Sequence, residues 1–170
     1  KKGLNVKKYY CLNEKNLFSH NYWELMPCLT NHLNLKNTTE ELFKKYSENT
    51  RMNIKNAREV KSNFVKDLSA ADLLNLYRNN QEEKHGKLKG DEELILEKLM
   101  LASKAKKMGV SVGCTDEQGK LKAGAFFVWS HGRLIFLFSA TDLSQQKVRW
   151  LPLLIDQCIA HDAGKEMILD

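Results

Sequence analysis

Basic residues crowd one stretch of this 170-residue chain: Lys44, Lys45, Arg51, Lys55, Arg58, Lys61 and Lys66 face only Glu48 and Glu59. On a helix, Arg51, Lys55 and Arg58 would share one face by their i, i+4, i+7 spacing. Such a ridge can contact phosphates; a solvated charged face is the plainer alternative. Other chemistry-bearing residues are scattered. His131 falls in a glycine-containing turn and His161 near a helix C-terminus, and neither stands at a diagnostic spacing from a cysteine or carboxylate. Cys11, Cys28, Cys114 and Cys158 form no C-x-x-C pair. That argues against a zinc ribbon or a disulfide scaffold and fits reduced thiols in a cytoplasmic protein, with Cys158 in a core position. No metal constellation, P-loop or dinucleotide fingerprint is present. The net charge of +6 favours anionic partners: nucleotides, tRNA or phosphorylated cofactors.

These residues need elements to position them. The chain is 42% apolar and 28% charged, an ordinary globular balance, and long enough for a sizeable core. No apolar run is long enough to cross a bilayer. It begins with Lys-Lys rather than Met, so an upstream segment is expected. Residues 1–37 read as the end of an upstream module or linking strands: Leu4–Tyr10 suits a strand, and Leu29, Leu33 and Leu35 alternate with polar residues. Residues 38–170 read as one domain, incomplete at its C-terminal side.

Within that domain, Thr38-Thr39-Glu40-Glu41 has capping-box spacing ahead of Leu42, Phe43 and Tyr46. The helix is expected to pause at Asn49-Thr50, with a turn-rich segment over Arg51–Arg58 and then a strand at Asn63-Phe64-Val65. Ser69 caps a helix carrying Leu73, Leu74 and Tyr77, and the polar run Asn79–Gly90 predicts an exposed loop. Asp91 caps a longer helix through Ile95, Leu99 and Ala102, with Lys104, Lys106 and Lys107 in its last turn and Gly109 as its stop. Val110–Cys114, Ala123–Trp129 and Arg133–Phe138 read as strands joined by tight turns, an antiparallel meander. A helix starting near Trp150, with Pro152 in its first turn, then crosses over to place Met167–Asp170 parallel to the preceding strand. The fold class is α/β (α+β), a mixed sheet with helices.

This order resembles the GNAT acyltransferase fold. The stretch Leu42-Phe43-Lys44-Lys45-Tyr46-Ser47-Glu48-Asn49-Thr50-Arg51-Met52-Asn53-Ile54-Lys55-Asn56-Ala57 is similar to the helical signature of Fem-type peptidyltransferases, an Arg-x-Asn-Ile-basic-x-Ala pattern after a short amphipathic helix. Phe138-Ser139-Ala140-Thr141, the helix Leu153–His161 and the strand ending Ile168-Leu169-Asp170 make a second, looser match. The resemblance implies transfer of an acyl or aminoacyl group to an amine, with aminoacyl-tRNA or an acyl-CoA as donor, and a second GNAT-like unit in the full-length chain.

The resemblance also implies site residues. Arg51, Asn53 and Lys55 would bind an anionic substrate. Ser139 and Thr141 lie where a GNAT sheet splays to admit the donor, and free strand amides there could stabilise an oxyanion. Gln146 and Lys147 would face the donor phosphates, and Asp170 could be the general base for the attacking amine. There is one departure. Acetyl-CoA-using GNATs carry a glycine-rich pyrophosphate loop after the fourth strand, and the matching segment Thr141–Lys147 has no glycine. A non-catalytic GNAT-derived module that binds ligand or nucleic acid, or an ordinary acetyl-CoA-dependent N-acetyltransferase, are therefore the alternatives.

Overall fold

Successive side chains of a strand point to opposite faces of its sheet, and two adjacent phenylalanines here exploit that to plug two separate cores. Phe126 and Phe127 lie in β4 (Leu121–Ser130) and are 0% and 1% exposed. In the computed structural model, which describes residues 30–144 and 148–170, Asn31–Asp170 forms one compact unit. The strand expected at Leu4–Tyr10 lies outside the described residues, as do Gln146 and Lys147.

The elements follow in the order β1 (Leu33–Asn34), α1 (Thr39–Lys44), α2 (Glu48–Arg58), β2 (Ser62–Lys66), α3 (Ala70–Asn80), α4 (Glu82–His85), α5 (Glu92–Ala105) and β3 (Gly109–Asp116). After β4 come β5 (Arg133–Thr141), α6 (Trp150–Asp162) and β6 (Ile168–Leu169). Six strands form one sheet in the order β1-β6-β5-β4-β3-β2. The meander β3-β4-β5 is antiparallel and β6 runs parallel to β5, with Arg133 opposite Ile168. The β4–β5 connection is a two-residue turn in which His131 and Gly132 both take positive φ, matching the twist of a hairpin. β1 pairs antiparallel with β6, and Leu35 just beyond it is fully buried.

Each face of the sheet has its own helices. Phe127, Leu134, Ala123 and Ala125 pack against Ile54 and Ala57 of α2 and Trp150, Leu153 and Leu154 of α6. On the opposite face Phe126 and Ala140 meet Leu68, Leu73, Leu76 and Met100 from α3, α5 and their approach.

Three local expectations need correction. Arg51–Arg58 is not turn-rich but the body of α2, whose Ser47 hydroxyl accepts the Thr50 N–H as an N-cap. The polar run from Asn79 is not all loop: α3 continues to Asn80, and α4 adds a turn before Gly86. Gly109 does not stop α5. Lys107 takes the left-handed conformation at φ 55°, and Gly109 opens β3 instead. Glycine is needed there because a Cβ would sit 2.1 Å from the Ser103 Oγ.

Candidate active site

The site is built on a break in the β4–β5 ladder. Phe127 pairs with Phe136 and Phe126 with Phe138, so Leu137 is an extra residue on β5. Such a bulge re-aims the strand, and bulges concentrate beside active sites. Before it, β5 bonds to the last strand: the Phe136 N–H donates to the Asp170 carbonyl, and the Asp170 N–H to that of Leu134. Beyond it the alternation is fixed by the Asp142 N–H, which donates to the Lys122 carbonyl on β4. The main-chain groups of Ser139 and Thr141 therefore face away from β4, along the edge where no strand pairs among the described residues. At Thr141 that edge is taken by a side chain, the Gln81 Oε1, which accepts the amide at 3.1 Å. Gln81 sits at the junction of α3 and α4 and is a residue that sequence reasoning placed in a loop.

Next to this edge, the ends of β3 and β5 and the start of β4 are fastened by one buried ammonium. Lys122, 3% exposed, holds its Nζ 2.9 Å from the Asp142 Oδ2 and 3.3 Å from the Asp116 Oδ2. Asp116 also accepts the Gln118 and Lys120 N–H groups of the β3–β4 turn, and Asp142 accepts the Ser144 N–H. Burial alone would raise the Asp142 carboxyl, but the Ser144 hydrogen bonds and the Lys122 ammonium together outweigh it and hold it at about 2. Burial would lower Lys122, and the two carboxylates overcome that and raise it. Lys122 thus stays a cation and cannot serve as a base. Its work is positional.

Above this network lies an open cavity of about 670 Å³ of mixed lining: Asp72, Asn75, Asn79 and Asn80 of α3 with Lys120 and Asp142, over an apolar floor that includes Leu68, Leu76 and Leu121. Its amide and carboxylate groups can accept and donate to a polar ligand. No trio of His, Cys, Asp or Glu among the described residues is placed to hold a metal. The buried thiols are not nucleophiles: burial, then the Asp162 charge, push Cys158 up to about 12.

The structure separates Asp170, Arg51, Asn53 and Lys55 from Ser139 and Thr141. Asp170 lies just beyond β6, opposite the early part of β5, roughly 10 Å along the strand from Ser139. Its carboxylate sits 2.9 Å from the Arg133 Nη1 and 3.3 Å from the His32 Nε2. Arg51, Asn53 and Lys55 ride on α2, which packs with α6 on the face of the sheet opposite α3. Lys55 is exposed, whereas the Arg51 Nη1 donates to the carbonyls of Lys44 and Tyr46, both at 2.9 Å. These are carbonyls that the end of α1 would otherwise leave without partners. Arg58, although its side chain is 53% exposed, reaches the buried Asp156 at 2.6 Å and lies over the Phe43 ring. Beside it the Tyr46 hydroxyl is buried without a well-formed hydrogen bond, and burial, then the Asp156 charge, push its phenol well up. The expected ridge is thus largely a clasp between α1, α2 and α6. Arg51→Ala should accordingly lower stability by about 1.5–3 kcal/mol, the worth of charged hydrogen bonds, in urea unfolding. An unchanged midpoint would return Arg51 to the solvent-facing surface.

No protein-family model matches the sequence, and no curated protein matches it. Among solved structures this chain is similar to FemX, with a TM-score of 0.67 at 9% identity over 82% of this chain and 51% of that one. The fold is GNAT-like. This chain spans about half the length of FemX. A proposed GNAT-family acetyltransferase from Desulfovibrio desulfuricans superposes with a TM-score of 0.44 at 15% identity, over 60% of this chain and 65% of that one. L-PGS from Bacillus licheniformis gives 0.48 at 11% identity, over 82% and 45%. In this GNAT-like domain the bulged strand is β5, the crossover helix is α6, and the missed residues are Gln81, Lys122 and Asp116. A lysine inside an otherwise apolar strand run was the available signal for Lys122; Gln81 offered none.

Proposed function

We propose that this chain carries the GNAT-like part of an acyl- or aminoacyltransferase that moves its group from an anionic donor to an amine, in the manner of the Fem-type enzymes. One observation carries the reading: the bulge at Leu137 turns the amides of Ser139 and Thr141 to the open side of β5, where Gln81 already presents a carbonyl-type oxygen. A donor carbonyl taking that place would find N–H groups fixed before its oxygen gains charge, the arrangement that stabilises a tetrahedral intermediate. The amine attacks the carbonyl carbon, the bond to the donor oxygen or sulfur breaks, and the proton lost by the amine ends on that departing oxygen or sulfur. The Fem-like run from Leu42 to Ala57 supports an aminoacyl-tRNA donor. Lys55, exposed on α2, is the basic residue of that run we assign to phosphate, with Asn53 as a second polar group of the same helix and Arg51 holding the helix.

Two features speak against coenzyme A. The segment Thr141–Lys147 lacks glycine, and the Ser144 amide at its start is already spent on Asp142 at 2.8 Å. A pyrophosphate cradle needs such amides free. Acetyl-CoA should therefore bind more weakly than about 1 mM in calorimetric titration of the full chain. Aminoacyl-tRNA should bind more tightly, with affinity falling steeply as salt is added, because phosphate contacts release counterions. A low-micromolar constant for acetyl-CoA would make this an ordinary acetyltransferase. Binding of tRNA without any transfer to an amine would make it a non-catalytic module.

A further inference from the structure

Helix α5 is apolar on more than one side. Leu96 and Met100 face the core, yet Leu94, Ile95, Leu99 and Leu101 are 46%, 60%, 42% and 62% exposed, and Met108 just beyond the helix is 40% exposed. With 3.6 residues per turn, Leu94, Ile95 and Leu101 flank Ala102 and Ala105 on the side turned away from Met100. A surface helix ordinarily keeps that side polar, and one apolar all round is normally covered. The two alanines leave room for another backbone to come close.

The charges of the helix are sorted along its length. Asp91, Glu92, Glu93 and Glu97 stand toward its start, Lys104, Lys106 and Lys107 toward its end and just beyond, and Lys98 midway, next to Glu97 and on the same outward side as Ala102 and Ala105. Glu93 and Lys104 are engaged within the domain, by Arg78 and by Asp67 and the Leu68 carbonyl. Glu92 and Glu97 at one end and Lys106 and Lys107 at the other lie on the surface. We propose that α5 packs antiparallel against α5 of a second copy of this chain, in a two-fold symmetric dimer. In that arrangement the acidic end of each helix meets the basic end of the other, twice over, with the apolar strip between them. A two-fold contact requires a patch complementary to itself, and this polarity supplies it. A parallel pairing would set like charges together, and an uncharged apolar partner would make no use of the sorting.

Sedimentation of the full chain over a concentration series up to about 100 µM tests this, since a dimer of this kind must follow mass action. The chain should be a dimer at the upper end, and the double variant Ile95→Glu/Leu101→Glu a monomer with an unchanged circular dichroism spectrum. Its dimer dissociation constant should rise at least about tenfold. Two charge variants give an independent readout: Glu92→Lys/Glu97→Lys and Lys106→Glu/Lys107→Glu. Each should self-associate poorly, and an equimolar mixture should recover heterodimers. A monomer throughout the series overturns the proposal. So does a dimer indifferent to Ile95→Glu/Leu101→Glu, or charge variants that pair with themselves as well as with each other.

Discussion

Replacing Lys122 with methionine should remove about 3–5 kcal/mol of folding stability, because it strands two carboxylates with no buried counter-charge. Among the described residues Lys122 is the one ammonium within 3.3 Å of both Asp116 and Asp142, and it lies at 3% exposure. Lys120, 3.8 Å from Asp142 and itself exposed, is too remote and too mobile to replace it. The loss is a large share of the 5–15 kcal/mol that a domain commonly has. The companion variant Lys122→Met/Asp142→Asn should recover part of it, since a neutral amide is far cheaper to bury than an unpaired carboxylate. Urea unfolding monitored by Trp fluorescence measures both. A cost below about 1 kcal/mol would place the network in the class of solvated surface pairs.

The same network predicts an acid limb. The Asp142 carboxyl titrates at about 2 in the fold against an ordinary aspartate near 3.9. A depressed folded value means that the unfolded chain binds the proton first. The stability from this group, about 2 kcal/mol, is therefore complete above about pH 4 and disappears as pH falls through about 2. Lys122→Met should shift that loss to higher pH.

The second large effect belongs to the adjacent phenylalanines. Phe126→Ala and Phe127→Ala should each cost about 3–5 kcal/mol, as fully buried aromatic rings do when truncated. Although neighbours in sequence, they occupy different cores: Phe126 meets Leu73 and Met100, while Phe127 meets Leu153, Trp150 and the Phe136 ring. Their effects should therefore add within about 0.5 kcal/mol. The milder Phe126→Leu and Phe127→Leu pair keeps the double variant folded for that comparison. Strong non-additivity would show that the sheet transmits strain between its two faces.

Much of the frame was written in local sequence. Thr38 and Glu41 make the reciprocal capping box that their spacing announced, and Ser69 caps α3 through the Asp72 N–H. The strand-forming runs and the His131-Gly132 turn specified a meander, and the helix from Trp150 specified a parallel return. These features depend on contacts within a few residues, so short-range chemistry suffices to reveal them.

Other features depend on partners that no local window contains. α2 read as turns because Asn49, Thr50, Asn53 and Asn56 are weak helix formers; the helix forms because Ile54 and Ala57 find α6 and Arg58 finds Asp156, 98 residues away. The inward side of α5 could not be phased from its sequence, since apolar residues surround the helix and only packing against Phe126 chose Leu96 and Met100. Periodicity orients a helix only when one face is polar. Gly109 looked like a helix stop until Ser103 stood where its side chain would be. The candidate site shows the same division. Sequence placed Ser139 and Thr141 at a strand exit, but the bulge at Leu137, the Gln81 contact and the Lys122 network come from pairings up to 60 residues apart that only the folded sheet brings together. A buried charge gains its stabilising partner from whatever the fold sets beside it, and that choice is made by tertiary structure.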